Sequence, residues 1–201
     1  MSETKKMMDL DGLKLLLALL YDPDSTGRTE IRGFTRLEKL IFLIQEEGLH
    51  KRFYQYEAYD YGPWSREIHD DVELLGLRGI IVTRREPLKV PVEAADTDEC
   101  LSQESEEIDE IKTKFVEVYG LTKPGEKAAS SIWRSLTEEE RRGIETIKKN
   151  FNQKSLMELI RYVYTKYPDY AEKSKIKNQI FSFAGSYASR PNLESPQRDQ
   201  D

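Results

Sequence analysis

The apolar positions of this chain fall into short periodic runs separated by clear stop signals. Leu10, Leu13, Leu17 and Leu20 recur at helical spacing, and Leu15, Leu16 and Leu19 widen the stripe. A stripe this wide predicts a first helix over about 10–21 buried on several sides. Asp22-Pro23 stops it, because the residue before proline is pushed out of the α region. A second helix follows, with Thr35 and Glu38 spaced as a capping box, Leu37, Leu40, Ile41 and Ile44 on one face, and Gly48 at its end. Tyr54, Tyr56 and Ala58 alternate with polar or mixed residues as in a short strand, and Gly62-Pro63 reads as the turn after it. Ser65 is a suitable N-cap for a third helix over about 65–77, with Ile68, Val72 and Leu75 inward.

Two strands come next. The spacing predicts a hairpin pairing 80–86 with 113–119, its tip expanded into a loop. Thr122 then caps a helix reaching Trp133, and Thr137/Glu140 and Ser155/Glu158 form two further capping boxes. The helices they open carry Ile144, Ile147 and Phe151, then Leu156, Leu159, Ile160 and Val163, and Pro168 ends the second. A short last helix from Ser174 should bury Ile176, Ile180 and Phe183. The resulting expectation is a mainly α (α+β) chain. Residues 1–134 would form a winged-helix-like core of three helices plus a β-hairpin, 135–185 a helical extension packed on it, and 186–201 a disordered tail.

Charge changes this picture at one place. Residues 93–110 hold nine acids and no lysine or arginine; without them the net charge of −6 becomes +3. The body is therefore near neutral, and the segment 90–112 reads as an acidic, mobile insertion. No apolar run approaches the roughly 20 residues of a membrane span. The N-terminal residues lack a signal-peptide pattern, and the single Cys100 allows no internal disulfide. The expectation is a cytoplasmic protein without membrane contact.

Nothing in the sequence builds a catalytic set. His50 and His69 are the only histidines. His69 and Glu73 share a helix face, but two ligands are too few for a metal site. Cys100 lies among carboxylates that blunt a thiol's reactivity, and there is no glycine-rich phosphate loop. The expectation is a chain that is not an enzyme and carries no catalytic residue, metal or cofactor.

Two binding chemistries remain. Basic residues Arg36, Arg66, Arg84, Arg85 and Lys89 could meet nucleic acid, with the last three on the wing. Against this, the outward residues Arg66, Glu67, Asp70, Asp71 and Glu73 of the third helix sum to −3, and phosphate attraction supplies most non-specific affinity. The linker at 49–63 also far exceeds the turn of about 3–4 residues in a helix-turn-helix. The second chemistry is aromatic. Eight of eleven tyrosines lie in two windows, Tyr54, Tyr56, Tyr59 and Tyr61, then Tyr162, Tyr164, Tyr167 and Tyr170, and Trp64 adjoins the first. Most should pack the two halves together. Tyr59, Trp64, Tyr167 and Tyr170 are the candidate partner-binding residues, since such side chains combine area with a polar tip.

KLIFLIQ at 39–45, YGPWSREI at 61–68 and LLGLRGII at 74–81 resemble the Panacea domain, the SocA-like antitoxin domain, including its uncharacterised members. LIRYVYTKYP at 159–168 resembles the same group, so that the likeness spans roughly residues 10–175. Its most specific element is the structural turn Tyr61, Gly62, Pro63 and Ser65 with Trp64 between. The resemblance implies a compact helical regulatory module without known catalytic residues, acting on a protein partner such as a toxin. The long acidic insertion departs from the short hairpin expected of that family. A winged-helix DNA-binding transcriptional regulator is the alternative. The sequence does not set the oligomeric state.

Overall fold

The computed structural model describes residues 10–23, 30–87 and 115–182. The acidic insertion, Cys100, Lys89, Phe183 and the tail from 186 lie outside the described residues.

The first helix, α1 (Gly12–Leu20), is capped by Asp11, whose side chain accepts from the Lys14 backbone N–H at 2.9 Å. Residues 15–20 are all buried, as the wide apolar stripe requires. A two-residue strand β1 (Ile31–Arg32), unforeseen in the sequence, leads into α2 (Phe34–Leu43). The expected capping box does not form. The helix begins one residue before Thr35, its N-cap is Gly33, and the Glu38 side chain is turned into the protein interior. Nor does α2 run regularly to Gly48: it widens into a π-helical turn over Ile44–Gly48. Inside that turn Gln45 Oε1 accepts from the backbone N–H groups of Phe53 (2.8 Å) and Tyr54 (3.0 Å), which fixes the long linker to the helix.

The linker ends in a small ribbon, β2 (Glu57–Tyr59) paired with β3 (Gly62–Trp64). Gly62-Pro63 is thus part of a strand, and the turn is Asp60-Tyr61. Proline is tolerated on such an edge because no ladder bond needs its missing N–H. Next come α3 (Arg66–Leu77), β4 (Ile81–Pro87) and β5 (Phe115–Leu121). β4 and β5 pair antiparallel from Ile81↔Leu121 to Pro87↔Phe115, the expected hairpin moved along by one or two residues. β1 adds to the other edge of β5, giving a three-stranded sheet in the order β1-β5-β4.

The remaining elements are α4 (Lys123–Ser135), α5 (Glu138–Phe151), α6 (Leu156–Lys166), a 3-10 turn (Pro168–Ala171) and α7 (Lys177–Ser182). Thr122 caps α4, and both expected capping boxes are present on α5 and α6. The described chain is therefore mainly helical with a small antiparallel sheet. One hydrophobic core joins α1 and α2 to Ile144, Ile147, Leu159, Ile160, Val163 and Ile180, so it is continuous across residues 134–135. Among the described residues no helix is long and apolar enough to cross a membrane.

Arg36 is part of this framework, which corrects its placement among nucleic-acid contacts. Only 9% exposed, it donates to the carbonyls of Phe151 (3.4 Å), Asn152 (3.2 Å) and Lys154 (2.6 Å). A buried guanidinium here satisfies the open carbonyls at the C-terminal end of α5 and suits its negative dipole end.

Candidate binding site

The site is built from the turn that follows β2. Gly62 has φ +96, a conformation that favours glycine, and a Cβ there would lie 2.7 Å from the Tyr164 ring. The ribbon can therefore press flat against α6. Its carbonyl at Pro63 accepts from Lys39 Nζ at 2.9 Å, and Lys39 Nζ also donates to Glu38 Oε2 at 2.7 Å. The other Glu38 oxygen accepts from the Ser65 backbone N–H at 3.0 Å. Two neighbouring residues of α2, 3% and 1% exposed, thus hold the Pro63–Ser65 corner as a buried, hydrogen-bonded ion pair. The Glu38 carboxylate also sits at the positive end of α3.

This corrects the role expected of Ser65. It occupies the N-cap position, but its side chain makes no capping bond, and its Oγ is buried without a partner among the described residues. Glu38 supplies the electrostatic part of that cap from another helix.

The corner sets Trp64 into a row of rings. Tyr59 and Trp64 lie 5.2 Å apart between centroids, Trp64 and His69 5.7 Å, His69 and Phe34 3.8 Å, and Phe34 and Tyr119 6.0 Å. The spacings suit offset and edge contacts between aromatic rings. Trp64 Nε1 donates to His69 Nε2 at 3.1 Å, so His69 must be neutral at that nitrogen and carry its proton on Nδ1. Partial desolvation by the neighbouring rings lowers the His69 pKa below its usual value although the residue stays exposed, against the opposing pull of Glu38 and Asp70. The row borders an open depression of ≈ 940 Å³, which Lys39 and Glu38 floor and Glu73, Glu117 and Lys175 edge.

Protonating His69 removes the acceptor for Trp64. The folded-state pKa is lowered, so this contribution to stability is complete above the unfolded value near 6.5 and is lost as pH falls through the folded value. In a Trp133→Phe background, Trp64 fluorescence should titrate with a midpoint below 6.5. A midpoint at or above that value, or none between pH 4 and 8, would contradict the Trp64–His69 geometry.

Of the four aromatic residues expected to meet a partner, the structure brings Tyr59 and Trp64 together. Tyr59 is 48% exposed and Trp64 half-buried. Tyr167 and Tyr170 belong to a different cluster. With Tyr56 they surround Phe42 edge-on at 4.9–5.1 Å, and Tyr167 donates to Glu47 at 3.0 Å. Those two rings serve largely to pack the second tyrosine window on α2. Tyr61, half-buried, borders the depression.

The basic residues are more dispersed. Arg84 is engaged by Glu30 and by Glu86 at 3.7 Å, and Arg66 lies 3.9 Å from Asp70 on the exposed face of α3. Arg85 is exposed on β4. Lys89 lies outside the described residues.

Phe34, His69 and Tyr119 were not recognisable as members of the row that Trp64 enters, because three separate elements deliver them. Glu38 and Lys39 did leave a signal. Leu37, Leu40, Ile41, Phe42, Leu43 and Ile44 cover the whole circumference of α2, so the two charges between them could not both reach water. Among the described residues no three His, Cys, Asp or Glu side chains come together as metal ligands. No family model, no curated protein and no solved structure matches the chain.

Proposed function

We propose that this protein is a non-enzymatic regulatory module of the SocA-like antitoxin (Panacea) type, built on a winged-helix-like core and acting by binding a protein partner. The observation that carries this reading is the row Tyr59–Trp64–His69 on an open depression beside the acidic face of α3. Tyrosine and tryptophan held by neighbours lose little freedom on binding, which is why they anchor protein interfaces. Of the groups there that could move protons, the His69 lone pair receives the Trp64 N–H and Lys39 and Glu38 bind each other, which leaves the rim carboxylates Glu73 and Glu117 without an ion-paired base beside them among the described residues. That favours recognition over catalysis.

A second reading, a winged-helix DNA-binding regulator, is favoured by the sheet order β1-β5-β4 and by a hairpin that directly follows α3. Charge weighs against it. Exposed Glu67, Asp70 and Glu73 lie on α3, and Arg36 and Arg84 are engaged within the protein.

Affinity capture with mass spectrometry, run beside a duplex-binding titration, separates the two. The expected result is one specific protein partner, with weak binding to mixed-sequence DNA at physiological salt. Duplex binding with a steep salt dependence that disappears on changing Arg84 and Arg85 to glutamate would favour the DNA reading instead.

A further inference from the structure

We infer that the depression receives the cationic side chain, arginine or lysine, of a segment of the protein partner. The inference rests on the partner-binding reading above and adds the chemistry of the contact. Three observations carry it. The wall is aromatic: the rings of Tyr59, Trp64, His69 and Phe34 succeed one another at centroid distances of 3.8–5.7 Å. Tyrosine and tryptophan rings attract cations and a planar guanidinium can stack on them; Tyr59, 48% exposed, and the half-buried Trp64 are the rings offered here, while Phe34 and His69 pack on each other. The rim is acidic: Glu73 and Glu117 both border the depression, and among the described residues Glu73 has no ion-pair partner. The positive charges nearby are already neutralised. Lys39, 1% exposed, is bound by Glu38 and the Pro63 carbonyl, Lys175 lies 2.5 Å from Asp60, and His69 is neutral while it accepts from Trp64.

The other occupants fit this lining poorly. An anion would meet the rim carboxylates of Glu73 and Glu117, with Lys175, already paired with Asp60, as the one exposed ammonium group among the described lining residues. A purely apolar segment would remove water from Glu73 and Glu117 and give nothing in exchange, a cost that buried carboxylates do not tolerate unpaired. A cation gains from both the rings and the rim.

The probe is a display library of short random peptides, selected on the full-length protein, with hits located by chemical-shift changes at the Trp64 indole N–H. Selected peptides should carry arginine or lysine at a fixed position. Replacing that residue with norleucine should weaken binding about tenfold, and Glu73→Gln should do the same while leaving the melting temperature unchanged. Peptides that perturb Trp64 but lack a required cation, peptides that bind elsewhere, or an empty selection would each overturn the inference. Its failure is distinguishable from failure of the partner reading: a captured protein partner that Glu73→Gln still binds in full removes the cationic contact and leaves partner binding standing.

Discussion

Changing Glu38 to alanine should destabilise the fold by about 3–5 kcal/mol, because it strands a buried ammonium group without its partner. Lys39 is 1% exposed and would keep only the Pro63 carbonyl, while the Ser65 N–H would lose its acceptor. The corner that carries Trp64 should loosen with it. Three companion variants make the mechanism visible in urea unfolding. Lys39→Met should also be costly, since it leaves a buried carboxylate. The double change Glu38→Gln, Lys39→Met should recover much of the loss, because no charge is stranded and an amide oxygen can still accept from Ser65. Such strong non-additivity is the signature of a coupled pair. Thr35→Ala supplies the contrast. A capping box at Thr35 would make it cost about 1 kcal/mol, whereas the observed start of α2 at Phe34 predicts an effect within about 0.5 kcal/mol.

The second large effect is expected at Gly143. A glycine in mid-helix normally weakens the helix by about 1 kcal/mol relative to alanine, so Gly143→Ala looks stabilising by propensity alone. In the folded protein a Cβ at Gly143 would lie 2.4 Å from the Gly48 carbonyl oxygen and 2.9 Å from Leu49 Cδ2. The first contact is with backbone at the end of the π-helical turn and cannot be relieved by a rotamer change. Net destabilisation of about 2–3 kcal/mol is expected, since overpacking outweighs the propensity gain. Gly76→Ala is the matched control. Gly76 also lies in a helix, but a Cβ there meets nothing within 4 Å. That variant should gain up to about 1 kcal/mol. Opposite signs for one substitution at two helical glycines would establish that α5 approaches the π turn as closely as described.

The sequence carried the local structure better than the long-range structure, for physical reasons. Capping boxes at Thr137 and Ser155 involve residues three apart, and both form. The identical pattern at Thr35 fails because Glu38 has stronger partners in Lys39 and Ser65, one of them 27 positions away. The β4–β5 pairing was legible from alternation, whereas β1 was not: two residues hold no periodicity, and their pairing depends on the edge of β5. The π turn likewise has no pattern of its own. It answers to Gln45 reaching the linker and to Gly143 pressing from α5. At the site, the aromatic pattern of the sequence pointed to Tyr59 and Trp64 as side chains that combine area with a polar tip. It gave no means of separating them from Tyr167 and Tyr170, because exposure depends on what Phe42 already covers.

The central claim, that the Tyr59–Trp64 face is a protein-binding surface, is most directly tested by pairing thermal unfolding of Trp64→Ala with its affinity for the captured partner. The ring is half-buried, and among the described aromatic residues it packs on Tyr59 and His69 alone. A binding surface here therefore predicts a folded variant that melts within a few degrees of the parent and binds its partner about thirtyfold more weakly, a loss of about 2 kcal/mol. A variant that melts many degrees lower, or one that stays folded and binds its partner undiminished, would contradict it.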